Sequence, residues 1–222
     1  MAALTEEQTM IQNQAQSWVT KHAPVQKFRE VRDSKNVVEF SQQIWDEMVN
    51  MGWAGIIIPE AYGGSDLGYL TFGLILEQTG RQLSASPLFA SAFVGASAIL
   101  LGGSEEQKKN LLCGIADGSQ IITLALEETP RHDPTKIALI AEYKAGEIIL
   151  SGDKTFVAEA CLHRPLLLLH EQMESREIPM VLHYWLFLQR PQALRAQNLT
   201  PWIVAVMRIS VLIRLKWPKM PC

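Results

Sequence analysis

Glycine and aspartate disappear from this chain after residue 153. All 14 glycines of the 222 residues lie at or before Gly152, and Asp153 is the last aspartate. The 69 residues that follow contain neither type, yet they hold three of the six tryptophans. Tight turns depend on glycine and aspartate. The chain up to about residue 159 can therefore form a turn-rich soluble domain, whereas the remainder lacks the residues that such turns need.

The charges divide at nearly the same place. Residues 163–222 carry eight Lys and Arg and three Asp and Glu, a net +5, while the rest of the chain has 12 against 20, a net −8. The total net charge of −3 argues against a nucleic-acid binder.

Three cysteines without metal-like or disulfide-framework spacing indicate a reducing compartment. With no signal or transit peptide in residues 1–9 and no run of 18 apolar residues, the sequence predicts a cytoplasmic protein without a membrane role.

Helix signals fill residues 1–118. The tetrapeptides at 5–8 (TEEQ) and 104–107 (SEEQ) fit a capping box, in which a hydroxyl and a glutamine satisfy the first amides of a helix. Glycine at position 52 suits a left-handed helix terminator. Apolar periodicity and these caps predict helices over 5–23, 41–51, 70–83, 87–101 and 104–114. Residues 1–118 are therefore predicted to form an all-α domain.

The periodicity then changes to that of strands. Four short β-type runs follow at 121–126, 137–142, 147–150 and 154–158, with Ser151-Gly152-Asp153 read as a turn. Residues 119–160 are therefore predicted to open an antiparallel sheet or barrel. Four strands alone would leave an open edge.

Motifs for metal or nucleotide binding are missing from the sequence. The five histidines show no ligand spacing, so no metal site is predicted, and there is no P-loop or Rossmann glycine pattern. Glu127 and Glu128 are adjacent in a strand-like run, and adjacent strand residues point to opposite faces. They are interpreted as a surface pair that cannot act on one atom.

Five stretches, taken in order, carry a family resemblance. They are Gly52-Trp53 with Ile58-Pro59-Glu60, then Tyr62-Gly63-Gly64, Leu76-Glu77-Gln78, Gly103-Ser104-Glu105-Glu106-Gln107-Lys108, and Leu150-Ser151-Gly152-Asp153-Lys154. Together they resemble the acyl-CoA dehydrogenase family over about residues 3–160. The resemblance implies an N-terminal helical domain, a middle β-barrel and a C-terminal four-helix domain, with FAD between the last two.

The resemblance also implies a reaction. A glutamate in the C-terminal helices takes the α-proton of an acyl-CoA thioester while the β-hydride passes to FAD, and family members are homo-oligomers. For this chain it implies an α+β fold: an N-terminal all-α helical bundle, an incomplete antiparallel β-barrel, and a missing C-terminal four-helix domain. No catalytic residue is expected within the 222 residues.

The same resemblance points to FAD-contacting positions. The family pattern L-T-E-P-G-A-G-S-D aligns on residues 125–133, and W-I-T aligns on 156–158. The implied cofactor-binding residues are Ala125, Leu126, Phe156 and Ala158. Leu126 replaces a threonine and leaves a backbone amide for the flavin, while Phe156 keeps an aromatic ring to pack on it. His132 replaces a serine that meets the thioester arm of the substrate.

Residues 161–222 are interpreted as an aberrant, poorly ordered tail translated from a shifted reading frame. In the alternative frame, each codon combines the last base of one residue's codon with the first two bases of the next. The genetic code then fixes some residues of that frame: the junction Met180-Val181 must encode Gly, and the junction Trp202-Ile203 must encode Asp. Gly and Asp are the two residue types that the tail lacks. Two alternatives stay open. Residues 203–215 could lie on a membrane surface, or the segment could pack on the barrel as a helix.

Two functions from different classes follow from the sequence. The first is an acyl-CoA dehydrogenase-like flavoprotein, here a truncated and inactive fragment without the glutamate-bearing domain. The alternative is a non-enzymatic helical module that binds a related subunit. Bound flavin would favour the first, and a colourless, helix-rich protein that copurifies with another chain would favour the second.

Overall fold

A computed structural model of the chain describes residues 3–34, 40–133, 137–144, 147–158, 166–170, 184–188, 194–198 and 207–216. The chain divides into two compact units, Met1–Ile122 and Thr123–Cys222. The first is helical in its described residues and the second is built from strands.

The helical unit contains six α-helices within its described residues. These are α1 Glu6–His22, α2 Val25–Asp33, α3 Gln42–Asn50, α4 Gly68–Arg81, α5 Ala96–Gly102 and α6 Glu105–Ala116. Two 3₁₀ turns, Trp53–Gly55 and Glu60–Tyr62, separate α3 from α4, and a π-helical segment, Leu88–Gly95, runs directly into α5. The prediction of an N-terminal helical domain is confirmed.

Local capping chemistry sets the beginnings of α1 and α6. The Thr5 hydroxyl accepts the Gln8 amide at 3.1 Å, and the Gln8 side chain accepts the Thr5 amide at 3.1 Å. Ser104 and Gln107 make the same pair of bonds at 3.3 and 2.8 Å. Both predicted capping boxes are therefore confirmed.

Helix ends are less well anticipated than helix starts. Gly52 adopts φ +76°, as its predicted role as a left-handed terminator requires. The helix predicted over 5–23 ends before Pro24, and Pro24 also precedes α2, which the sequence did not predict. Proline is tolerated there because the first amides of a helix have no partner within the helix.

The core of the helical unit forms around the segment between α3 and α4. Trp53 is 2% exposed and Ile58 is fully buried. The fully buried side chains of Met48, Phe72 and Ile75 supply apolar surface from the flanking helices. Burial of this apolar surface, at roughly 25 cal/mol per Å², is what stabilises short helices that would be marginal in isolation.

The strand unit forms two sheets in its described residues. Its strands are β1 Thr123–Ala125, β2 Ile140–Lys144, β3 Glu147–Lys154, β4 Leu166–His170, β5 Tyr184–Leu188, β6 Leu194–Asn198 and β7 Met207–Lys216. One sheet has the order β1-β4-β5 and the other β2-β3-β7-β6. Neighbouring strands are antiparallel except β1 and β4, which are parallel. Closure into a barrel stays a prediction.

The predicted turn and fourth strand are wrong. Residues 151–153 lie within β3, which runs unbroken to Lys154, and residues 155–157 have no regular structure. The physical reason is pairing: Ser151 lies opposite Leu212 and Asp153 lies opposite Ser210 on β7. Because the ladder satisfies the backbone groups of Gly152 and Asp153, these residues do not need to turn.

Four strands, β4 to β7, fall within residues 161–222, for which the sequence indicated poor order. The sequence of β7 alternates apolar and polar residues over most of its length, a pattern typical of strands. The frameshift and the domain boundaries at 118 and 160 stay predictions. The residues of both forced junctions, 180–181 and 202–203, lie outside the described residues.

Candidate functional site

Hydrogen bonds hold two separate stretches of the strand unit side by side. The amide of Thr155 donates to the carbonyl of Glu127 at 2.7 Å, and the Thr155 hydroxyl donates to the carbonyl of Thr129 at 3.1 Å. The Thr123 hydroxyl donates to the carbonyl of Ala158 at 2.6 Å. The stretches 123–129 and 154–158, which the sequence marked as one site, are thus brought together.

The four residues implied as cofactor contacts differ in exposure. Ala125 is fully buried at the end of β1, Leu126 and Ala158 are half-buried, and Phe156 is 44% exposed. The side chain of Ala125 is therefore unavailable to a ligand. The Phe156 ring is the most exposed of the four side chains. The carbonyls of Leu126 and Ala158 accept internal hydrogen bonds from Lys154 and Thr123.

The backbone of Phe156 is strained. Its φ of +52° lies in the left-handed region, which an aromatic residue with a Cβ rarely adopts. Residues held in such conformations cluster at ligand contacts. The neighbouring hydrogen bonds of Thr155 and the full burial of Val157 hold the backbone on both sides of Phe156. The flanking chain therefore presents this partly exposed ring in a fixed backbone conformation.

A buried ion pair lies directly behind Leu126. The Nζ atom of Lys154 donates to Glu128 Oε1 at 2.6 Å and to the carbonyl of Leu126 at 3.2 Å. The side chains are 0% and 6% exposed for Lys154 and Glu128, respectively. Burial lowers the pKa of the Lys154 ammonium below its ordinary value, and the Glu128 carboxylate opposes that shift. The interpretation of Glu128 as a surface residue is wrong, because a lysine and two backbone amides compensate its charge inside the unit.

Glu127 has different partners from Glu128. Its Oε1 lies 2.6 Å from Nδ1 of His132, and its Oε2 accepts the amide of Asp133 at 3.2 Å. His132 is 79% exposed, whereas Glu127 is 14% exposed. Glu127 and Glu128 lie beyond Ala125, the last residue of β1, so the prediction from strand geometry that they cannot act on one atom stays a prediction. Glu127 orients an exposed imidazole at the position aligned with the family's serine.

Sequence reasoning missed Lys154 as a functional candidate. Nothing in the sequence indicated its burial, because the turn predicted at 151–153 separated Lys154 from the strand before it. The structure places Lys154 at the end of β3, where a buried lysine requires a partner. Among the residues that the structure describes, no group of three or more His, Cys, Asp or Glu could hold a metal ion. Within the same residues, no helix combines the length and apolar character of a membrane span.

Comparison with known proteins links the chain to one family. A family model described as "Acyl-CoA dehydrogenase, N-terminal domain" matches residues 5–119. Mitochondrial isovaleryl-CoA dehydrogenase from Pongo abelii is 32% identical over 159 residues, which are 69% of this chain and 37% of that protein. Acyl-CoA dehydrogenase FadE12 from Mycobacterium tuberculosis (strain ATCC 25618 / H37Rv) is 28% identical over 156 residues, covering 69% and 39%. The chain spans about two fifths of the length of these curated relatives.

A solved structure gives a fold match over most of the chain. The glutaryl-CoA dehydrogenase of Mycobacterium smegmatis in complex with FADH2 superimposes with a TM-score of 0.79. The match covers 96% of this chain and 54% of that one, at 17% identity. At this identity the likeness shows the fold alone.

Proposed function

The chain belongs to the acyl-CoA dehydrogenase family, and from this premise we propose that it is a flavoprotein that binds FAD for the dehydrogenation of an acyl-CoA thioester. The observation that carries the proposal is the hydrogen-bonded junction of stretches 123–129 and 154–158. These are the two stretches that align with the family's flavin-contacting patterns. FAD, when bound, supplies the hydride acceptor.

The residues at this junction fit a planar, largely apolar ring system. Phe156 offers a partly exposed aromatic ring, and aromatic rings stack favourably with one another. Leu126 and Ala158 carry no hydroxyl, so polar contacts to the flavin come from backbone groups. Stacking and backbone amides together are a sufficient basis for binding, with fewer hydrogen bonds than the family pattern would supply.

The substrate class in this proposal is an acyl-CoA thioester. His132 takes the alignment position of the serine that meets the thioester arm, and Glu127 orients its ring through Nδ1. Since the Nδ1 side faces a carboxylate, Nε2 is the ring nitrogen left to meet the substrate. The imidazole therefore replaces the hydroxyl contact of the family's serine with a contact from a larger side chain.

We expect the 222-residue chain alone to turn over little or no substrate. The two carboxylates of the junction, Glu127 and Glu128, are already bonded to His132 and Lys154, so neither is proposed as the base that takes the α-proton. The resemblance places that base in C-terminal helices, beyond the residues that resemble the family here. A missing general base alone costs on the order of 10²–10⁴ in rate.

A pair of phenylalanine variants tests the proposal. Phe156→Ala removes the ring at the junction, and Phe89→Ala removes a similarly exposed ring (57% against 44%) from the helical unit. FAD binding is followed by quenching of flavin fluorescence. We expect Phe156→Ala to weaken binding and Phe89→Ala to leave it unchanged. Equal affinities for FAD in both variants and the unaltered chain would place the cofactor elsewhere and refute this site.

A second function is favoured by apolar exposure on the helical unit. Tyr69, Leu70 and Phe89 are 51%, 53% and 57% exposed, and Phe93 stacks on Phe89 at 5.9 Å between ring centroids. Exposed apolar patches mark protein interaction sites. A non-enzymatic helical module would use them to bind a related subunit. It predicts a colourless, helical protein that copurifies with another chain of the family.

Assembly and location complete the proposal. The resemblance implies homo-oligomers for intact family members and assigns no oligomeric state to this chain. We infer a cytoplasmic location from the three unpatterned cysteines. Cell fractionation measures the location, and a chain found only outside the cytoplasm would remove this part of the proposal.

A further inference from the structure

One buried lysine connects three segments of the strand unit. Lys154, at the end of β3, donates to the carbonyl of Leu126 at 3.2 Å and to Glu128 at 2.6 Å. Glu128 in turn accepts the amides of Ala138 and Leu139, just before β2. The end of β3, the segment after β1 and the segment before β2 are therefore held by one side-chain pair.

The hydrogen bond to Leu126 restrains the peptide that matters for the proposed cofactor. Ala125 is the last residue of β1, so the ladder to β4 orders the chain on one side of Leu126. On the other side, Lys154 holds the carbonyl of Leu126 and Thr155 holds the carbonyl of Glu127. Both peptide planes that flank the Leu126 Cα are thus restrained, and with them the direction of its N–H.

We propose that Lys154 is a positioning residue for the flavin contact at Leu126. The inference rests on the proposed function, because it assigns Lys154 to the same site. Leu126 has no side-chain hydroxyl to adjust to the ring, so a misdirected backbone amide cannot be compensated there. Lys154 does not touch the cofactor, and it acts by keeping that amide in place.

Burial explains why this pair suits a positioning role. An ion pair this deeply buried gives little net stability compared with well-packed apolar side chains, whereas removal of one partner leaves an uncompensated charge. The 2.6 Å bond to Glu128 is short and charge-assisted, and it fixes the ammonium group that donates the 3.2 Å bond to the Leu126 carbonyl. The pair is thus suited to fixing the peptide at Leu126.

The test replaces Lys154 in the full chain and compares it with a matched lysine. Lys154→Met removes the hydrogen bond to Leu126. Lys108→Met removes a lysine–glutamate pair of 3.2 Å, with Glu105, on the surface of α6. We expect Lys154→Met to raise the Kd for FAD at least ~10-fold, as the loss of a charge-assisted hydrogen bond implies. Lys108→Met should leave the Kd unchanged, and Lys154→Arg, which keeps a cationic donor, should restore most of the affinity.

A double variant separates positioning from loss of folding. Glu128→Gln with Lys154→Met removes both charges and keeps a side-chain oxygen as an acceptor for the amides of Ala138 and Leu139, which bond to Glu128 in the unaltered chain. We expect this variant to unfold at a temperature close to that of the unaltered chain, yet to bind FAD as weakly as Lys154→Met and with an altered flavin absorption band. A double variant that binds FAD as tightly as the unaltered chain, with the same absorption band, would overturn the inference while leaving the proposed flavoprotein intact.

Hydrogen exchange distinguishes this inference from the proposed function. If the unaltered chain binds no FAD, the proposed function fails, and the positioning role is judged from the amides of residues 124–128. Faster exchange of these amides in Lys154→Met, with α6 unchanged, supports Lys154 as the residue that holds the Leu126 peptide. Unchanged exchange at 124–128 overturns the inference.

Discussion

Gly64 occupies a place in the helical unit that no other residue can take. A Cβ built at Gly64 would overlap the carbonyl oxygen of Ile58 and lie 2.5 Å from both the carbonyl carbon and the Cβ of Ile58. The Ile58 carbonyl cannot move away freely, because it accepts the amide of Asp66 at 3.0 Å. Gly64 is also tied, since its own amide donates to the carbonyl of Pro59 at 3.2 Å. We therefore expect Gly64→Ala to be strongly destabilising.

The magnitude follows from comparison with two other glycines in the same unit. Overpacking costs roughly 1–3 kcal/mol where side chains can adjust, and here the obstacle is backbone, so Gly64→Ala should cost at least ~3 kcal/mol. Gly63 has φ +83° and open space, so its alanine variant should lose about 1 kcal/mol from backbone strain. Gly73 lies within α4, also in open space, so its alanine variant should gain about 1 kcal/mol.

Urea unfolding, followed by the circular dichroism of the helices, measures all three variants against the unaltered chain. From most to least stable, the expected order is Gly73→Ala, the unaltered chain, Gly63→Ala and Gly64→Ala. Since a domain is stable by only about 5–15 kcal/mol, the last variant should unfold at a clearly lower urea concentration. A Gly64→Ala chain within about 0.5 kcal/mol of the unaltered one, the usual range for neutral surface changes, would refute the packing described around Ile58.

Other predictions concern caps, pH and the reading frame. Thr5→Ala and Ser104→Ala should each lower the free energy of unfolding by about 1 kcal/mol, through loss of a capping bond, in the same urea assay. Burial lowers the pKa of Lys154 in the folded chain. At a pH between the lowered pKa of the folded chain and the ordinary lysine pKa, Lys154 is protonated to a greater extent in the unfolded chain than in the folded one. The free energy of unfolding should therefore rise with pH in this range and level off above the ordinary lysine pKa. The Lys154→Met variant should not show this rise in the free energy of unfolding. An identical pH dependence in the variant and the unaltered chain would contradict the prediction. Resequencing the gene across codons 155–170 should reveal an extra base that restores the family's frame, and an uninterrupted frame that encodes the present tail, shared by close homologues, would exclude the shifted reading frame.

Local signals made the helical unit predictable. Hydroxyl–glutamine pairs at 5–8 and 104–107 act within four residues, so their effect can be read without knowing the fold. The terminator at Gly52 is local in the same sense. Helix α2 was missed because Val25–Asp33 contains no buried residue and begins after a proline without a side-chain cap. Its sequence does carry apolar residues at helical spacing, Val25, Phe28 and Val31, but the segment is only nine residues long and no side-chain cap marks its start.

Long-range contacts decided what the sequence could not predict in the strand unit. Gly152-Asp153 has turn composition, but pairing with a strand some 60 residues later extends β3 through it. Glu128 reads as a surface residue until Lys154, 26 residues away, is brought to its carboxylate. The alignment did indicate which stretches would meet, and Thr155 and Thr123 make the bonds that join them. The buried pair behind that junction became visible only in the structure.

Titration of the purified 222-residue chain with FAD tests the central claim most directly. The account predicts saturable binding of about one FAD per chain, since one junction of this kind is described, and weaker binding by Phe156→Ala. A chain whose helical unit is folded, by circular dichroism, and which binds no FAD at any concentration would contradict the claim that this chain is a flavoprotein.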